Sequence, residues 1–202
     1  MTDQATRPEG IKEIRLWDPA LRLFHWALVV CVVTAWGLGR FGPSIMTLHF
    51  YFGYAVAALL AFRVIWGLFG PRFARFSHFL YGPGATLRYV AQIGRRAPSY
   101  WPGHSPLGAL SVFALLAVLI AQVGTGLYAD PDDFINVGPL ADTVSREAAI
   151  RAAGWHHRLS LAVLLLVLLH VGAILFYRLW KRENLVRPMI TGRKAVRRDR
   201  QA

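Results

Sequence analysis

Residues 155–172 read WHHRLSLAVLLLVLLHVG. The apolar run between the paired histidines and His170 is long enough to lie inside a lipid bilayer. On a helix that advances about 100° per residue, His170 lies about 40° short of whole turns from His156 and about 140° short from His157. His156 therefore shares a face with His170, and His157 does not. The shared face carries Ser160, Val163 and Val167. Leu161, Leu164 and Leu168 follow His157. The narrower face has room for a flat macrocycle between helices; the leucine face suits lipid or another helix.

The rest of the chain matches this reading. Of 202 residues, 55% are hydrophobic and 13% aromatic, and the mean hydropathy is +0.38, too apolar for one soluble domain. Four apolar segments, about 21–38, 47–69, 107–128 and 155–180, each approach the ~20 residues that cross a bilayer as a helix. The fold expected is an all-α integral membrane protein, an up-and-down bundle of four transmembrane helices forming a single domain over residues 1–202. The first segment runs into WGLGRFGPS with no A-x-A cleavage pattern, so it reads as retained rather than as a signal peptide.

The net charge of +12 is spread over alternate connections rather than one soluble face, which argues against nucleic acid. Residues 1–22 carry four Lys/Arg, 71–105 five, and the tail from Arg178 nine. The other two connections carry only Arg40, and Arg146 with Arg151. Both termini are thus expected in the cytoplasm. The outer connection 129–154 holds five acids: Asp130, Asp132, Asp133, Asp142 and Glu147. A short outer helix is expected over about 142–153 with Asp142 as its N-cap, and an interfacial helix over about 85–93. The basic tail 181–202 is either an anchor on anionic lipid or a protein contact, the first being the simpler reading.

A single cysteine, Cys31, excludes an internal disulfide, a C-x-x-C-H attachment site and a cysteine-ligated cluster. Histidines inside a membrane are costly and so mark candidate sites. His25, His49, His156 and His170 stand in spanning segments; His78 and His104 fall in the connection 71–105 and read as surface residues. Because the helices alternate in direction, depth pairs His49 with His156 and His25 with His170. The two levels lie 14 residues apart on one helix, roughly 21 Å. Two ligands per level are too few for structural zinc, and they suit the axial positions of a haem iron. Histidines that hydrogen-bond helices together, or an ion or proton path, remain alternatives.

Arg63 lies 14 residues after His49, near the inner level. It either pairs with a haem propionate or snorkels to the cytoplasmic surface. Arg158 serves the outer haem or the outer headgroups. Gly53, one turn after His49, leaves room for a ring or for ordinary helix packing, and so do Gly172 and the Gly124–Gly126 stretch.

RLWDPALRLFHWAL, HFYFGYAVAALLAFRVIWGLFGPRFARF, HSPLGALSVFALL with GLYADPDD, and WHHRLSLAVLLLVLLH followed by ENLVRPMITGRK resemble the prokaryotic cytochrome b561 family, which includes the b-type cytochrome subunits of nickel-iron hydrogenases. The resemblance runs over about residues 15–195. It implies four transmembrane helices and two non-covalent haem b groups, held by the four histidines that match His25, His49, His156 and His170. It also implies electron exchange between membrane quinone and a periplasmic c-type cytochrome or hydrogenase-like oxidoreductase, in a bacterial inner membrane. A homodimer is compatible with it. A superoxide:quinone oxidoreductase, known in one branch, and a non-redox structural subunit are the competing readings.

Overall fold

The computed structural model describes residues 11–42, 46–132 and 135–197. Four long apolar helices dominate it, α1 (Pro19–Phe41), α2 (Thr47–Phe69), α4 (Pro106–Leu127) and α5 (Arg146–Leu179). All four are long and apolar enough to cross a membrane. Shorter elements are the strand β1 (Ile11–Arg15), helix α3 (Pro83–Ala91), helix α6 (Val186–Thr191), strand β2 (Arg193–Arg197), and 3₁₀ turns at Phe76–Phe79 and Ala141–Thr143.

Helix starts follow from side-chain caps. Asp18, just before Pro19, accepts the Leu21 N–H at 3.0 Å; Ser105, just before Pro106, accepts the Gly108 N–H at 3.3 Å. Proline at the first helical position lacks the N–H that would otherwise go unsatisfied there. The outer helix expected over 142–153 is not separate. Ser145, not Asp142, caps it, accepting the Ala148 N–H at 3.3 Å, and it continues without a break into the last span as the 34-residue α5. Nothing between Gly154 and His157 stops a helix, because a lone glycine costs only about 1 kcal/mol.

The chain divides into two compact units. One holds the residues up to Arg22, Trp66–Leu110, and those from His170 on. Here β1 and β2 pair antiparallel, Ile11 opposite Arg197 and Arg15 opposite Arg193. This sheet is absent from the all-α expectation, and it corrects the reading of the tail as a simple lipid anchor. Gly192, at φ +77°, turns α6 into β2. Its carbonyl accepts the N–H groups of Leu16 at 2.7 Å and Trp17 at 3.2 Å. A Cβ there would stand 2.7 Å from the Trp17 oxygen, so glycine is required by space as well as by φ.

The same unit has a buried ion pair. Glu183 is 7% exposed, meets Lys194 Nζ at 2.9 Å, and accepts from the Ser99 N–H and hydroxyl, both at 2.7 Å. Burial pushes the Glu183 carboxyl up, but Lys194 and the Ser99 donors outweigh it and hold the group below its ordinary range. Lys181 Nζ donates to the carbonyls of Ile93 and Arg95, and Trp180 Nε1 to that of Gly94. The end of α5 thereby holds the loop that follows α3.

The second unit, Leu23–Ile65 with Ser111–Leu169, contains parts of all four long helices. Val56, Leu60, Leu119 and Val163 form its buried centre, flanked by Leu28, Cys31, Val32, Leu116, Val123 and Val167. Val163 therefore packs into a closed apolar core rather than lining open space. Leu161, Leu165 and Leu168 on the other side of α5 are more than half exposed, as a lipid-facing surface requires.

Candidate functional site

His49, in the first turn of α2, and His156, on α5, face each other with ring centroids 5.9 Å apart and planes at 84°. Each ring is held from behind in the same way. His49 Nδ1 lies 2.8 Å from the main-chain oxygen of Ala35 on α1. His156 Nδ1 lies 2.9 Å from that of Gln122 on α4. A carbonyl only accepts, so Nδ1 is the donor in both rings and Nε2 keeps its lone pair.

Local sequence makes these contacts accessible. A helical carbonyl is normally screened by the side chain four residues later, whose Cβ tilts back towards it. Four residues after Ala35 stands Gly39, and four after Gln122 stands Gly126. A Cβ at Gly126 would lie 2.8 Å from His156 Cε1, and one at Gly39 would lie 3.1 Å from His49 Cε1. The stretches AWGLG and QVGTG thus form matching cradles on two helices. Gln122 adds a contact that Ala35 lacks, because its amide nitrogen lies 3.2 Å from His156 Nε2. Neither Gln122 nor the two cradle carbonyls is marked by sequence chemistry; the repeated G-x-G is the signal that points to them.

His157 is exposed, and its carbonyl accepts from the Ser160 hydroxyl at 2.7 Å. His25, half-buried on α1, meets the edge of Trp26 at 5.3 Å between ring centroids. It belongs to the same unit as His49, while the half-buried His170 belongs to the other. Arg63 is 3% exposed, so its guanidinium stays within the protein instead of snorkelling out. Gly53 has nothing within 4 Å of a notional Cβ. Arg158 is exposed and lies over the Trp155 ring at 5.3 Å, the placement expected of a headgroup contact.

In the connection 71–105, His104 departs from its expected surface position. Its ring sits between Trp17 at 4.8 Å and Phe79 at 4.5 Å, two almost wholly buried aromatics. His78 lies against Phe73; partial burial, then Arg72 and Arg75, hold its pKa below the ordinary histidine value. On the outer connection, Asp132 is paired with Arg146 at 2.6 Å, and Asp133 lies outside the described residues.

The His49–His156 arrangement fits haem b. Among the described residues, no three or more His, Cys, Asp or Glu side chains gather where they could hold a metal ion. A porphyrin needs only two ligands from the protein. Both imidazoles show the back-side hydrogen bond to a carbonyl that fixes the ring and tautomer of metal-binding histidines.

A model of the prokaryotic cytochrome b561 family matches residues 16–192. The chain is similar to proteins named probable Ni/Fe-hydrogenase B-type cytochrome subunits. That of Azotobacter chroococcum is 24% identical over 93% of this chain and 90% of its own length. That of Cupriavidus necator is 24% identical over 95% and 91%, and that of Rhodobacter capsulatus 23% over 99% and 90%.

Proposed function

Because the chain belongs to the prokaryotic cytochrome b561 family, we propose that it carries electrons through the bacterial inner membrane on two non-covalent haem b groups, one held by His49 and His156 and the other by His25 and His170. The observation that carries this is the facing His49–His156 pair, each ring tied through Nδ1 to a helix carbonyl beside a glycine. The second pair rests on the depth of the helices.

When bound, haem supplies a one-electron ferric–ferrous couple with both axial positions filled, which suits outer-sphere transfer rather than substrate chemistry. The chain supplies position and environment. The Ala35 and Gln122 carbonyls orient the imidazoles and raise their basicity as ligands. Val56 and Val163 follow His49 and His156 by seven residues each, so a dry core begins about 10 Å along the helices from the pair. Arg63 brings a buried positive charge, suited to a propionate.

Electrons pass between the quinone pool and a periplasmic redox protein. The names of the relatives favour a hydrogenase-like oxidoreductase over a c-type cytochrome as that partner. The distribution of Lys and Arg supports a cytoplasmic location for both termini.

The test is haem content and the dithionite-reduced spectrum of wild type and of His25→Ala, His49→Ala, His156→Ala and His170→Ala. Two b-type haems in wild type and one in each variant are expected. Absence of b-type bands from wild type, or retention of both haems by His156→Ala, defeats the reading.

A further inference from the structure

Gln122 is the one residue that touches both nitrogens of a candidate ligand. Its main-chain oxygen takes the His156 Nδ1 proton at 2.9 Å, and its side-chain amide nitrogen reaches Nε2 at 3.2 Å. Because Nδ1 must be the donor, Nε2 is an acceptor, and the amide faces it with N–H rather than with oxygen. The amide oxygen is buried and accepts no hydrogen bond from the described residues. The contact with Nε2 is therefore what sets this side-chain position.

The Nε2 lone pair that accepts from Gln122 is the same one that an iron requires, and it cannot serve both. The matching cradle has no such competitor, since Ala35 ends at its methyl group while presenting an equivalent carbonyl to His49.

We infer that Gln122 is a positioning residue that holds His156 ready and occupies its iron-facing nitrogen until haem displaces the amide, so that loading of the outer site is gated from α4, a helix without histidine. The inference rests on the proposed haem pair at His49 and His156. It assigns two opposed roles to one residue. The carbonyl favours ligation by fixing tautomer and orientation, whereas the amide opposes it by the worth of one hydrogen bond.

The experiment uses the full chain prepared without haem in detergent, in a His25→Ala background so that only the outer site reports. Hemin is added, and the six-coordinate b-type absorbance is followed for its rate and for the concentration at half-saturation. Gln122→Leu removes the amide and keeps the main-chain carbonyl. Gln122→Asn retains an amide but is one methylene too short to keep the Nε2 contact.

Both variants are expected to bind hemin on the order of five-fold more tightly than the background chain, with the gain in the rate of uptake. Their saturated spectra are expected to match its spectrum. Equal or weaker binding in a variant that reaches the same saturated spectrum overturns the gating role. If Leu fails to fold, the Asn variant decides. Failure of the background chain itself to bind hemin overturns the His49–His156 haem site and this inference with it; normal background binding with unaltered variants overturns the inference alone.

Discussion

Gly126 lies so close to His156 that a Cβ on it would stand 2.8 Å from the ring's Cε1. Gly124, two residues earlier on the same helix, has nothing within 4 Å of the equivalent position. The pair therefore separates cradle from helix propensity. Gly126→Ala is expected to displace the imidazole, at a cost of about 1–3 kcal/mol, and to halve the haem content. Gly124→Ala is expected to keep both haems and the wild-type reduced spectrum. Haem loss by both, or by neither, removes the cradle from the account. Gly39→Ala, with a 3.1 Å approach to His49, should fall between them.

Arg63 is a buried cation, and a positive charge near a haem favours the added electron. Arg63→Gln is expected to lower one midpoint potential by about 60 mV, a tenfold change for a one-electron couple. Arg63→Lys should restore much of that shift if charge is the cause, and less of it if bidentate geometry matters. Redox titration of the reduced-haem bands is the measurement, and unchanged potentials in the Gln variant would leave Arg63 without an electrostatic role.

The Glu183–Lys194 pair makes the terminal sheet sensitive to acid. The folded-state pKa of Glu183 lies below its unfolded value, so its contribution is present above about pH 4.5 and is lost as pH falls through the depressed value. Lys194→Met leaves a buried carboxylate without its charge partner, a change that typically costs about 3–5 kcal/mol. Glu183→Gln should cost less because it retains an acceptor for Ser99. Limited proteolysis of the tail against pH is expected to cut wild type only in acid and the Lys194 variant at neutral pH.

The acidic outer connection bears on partner choice. Asp132 is already paired with the exposed Arg146, a contact worth at most about 1 kcal/mol. The triple variant Asp130→Asn, Asp132→Asn and Asp133→Asn is expected to slow electron transfer to a basic c-type cytochrome several-fold at low salt and little at high salt. Equal rates at low salt would exclude steering by this connection.

Much of this structure was legible in the chain. The second span agrees at both ends, 47–69, because its pattern is dense and α2 is flanked by helix-breaking residues on both sides. The face argument separates His156, turned towards His49, from the exposed His157. Less visible were features that depend on remote pairing. β1 is only five residues long and its partner lies at the far end of the chain, so alternation within either strand carried little signal. His104 read as a surface residue because the sequence does not show that Trp17 and Phe79 close over it. Gln122 escaped notice because half of its role belongs to a main-chain carbonyl, which every residue has.

The pairing of Ile11 with Arg197 also constrains biosynthesis. β1 is among the first segments translated and β2 among the last, so the N-terminal strand waits through insertion of every span before its partner leaves the ribosome. A messenger truncated before codon 193 would yield a chain whose membrane helices are complete but whose first strand keeps an open edge, the kind of edge that recruits a second strand from elsewhere. Closing the sheet thus serves as a signal that the whole chain has been made.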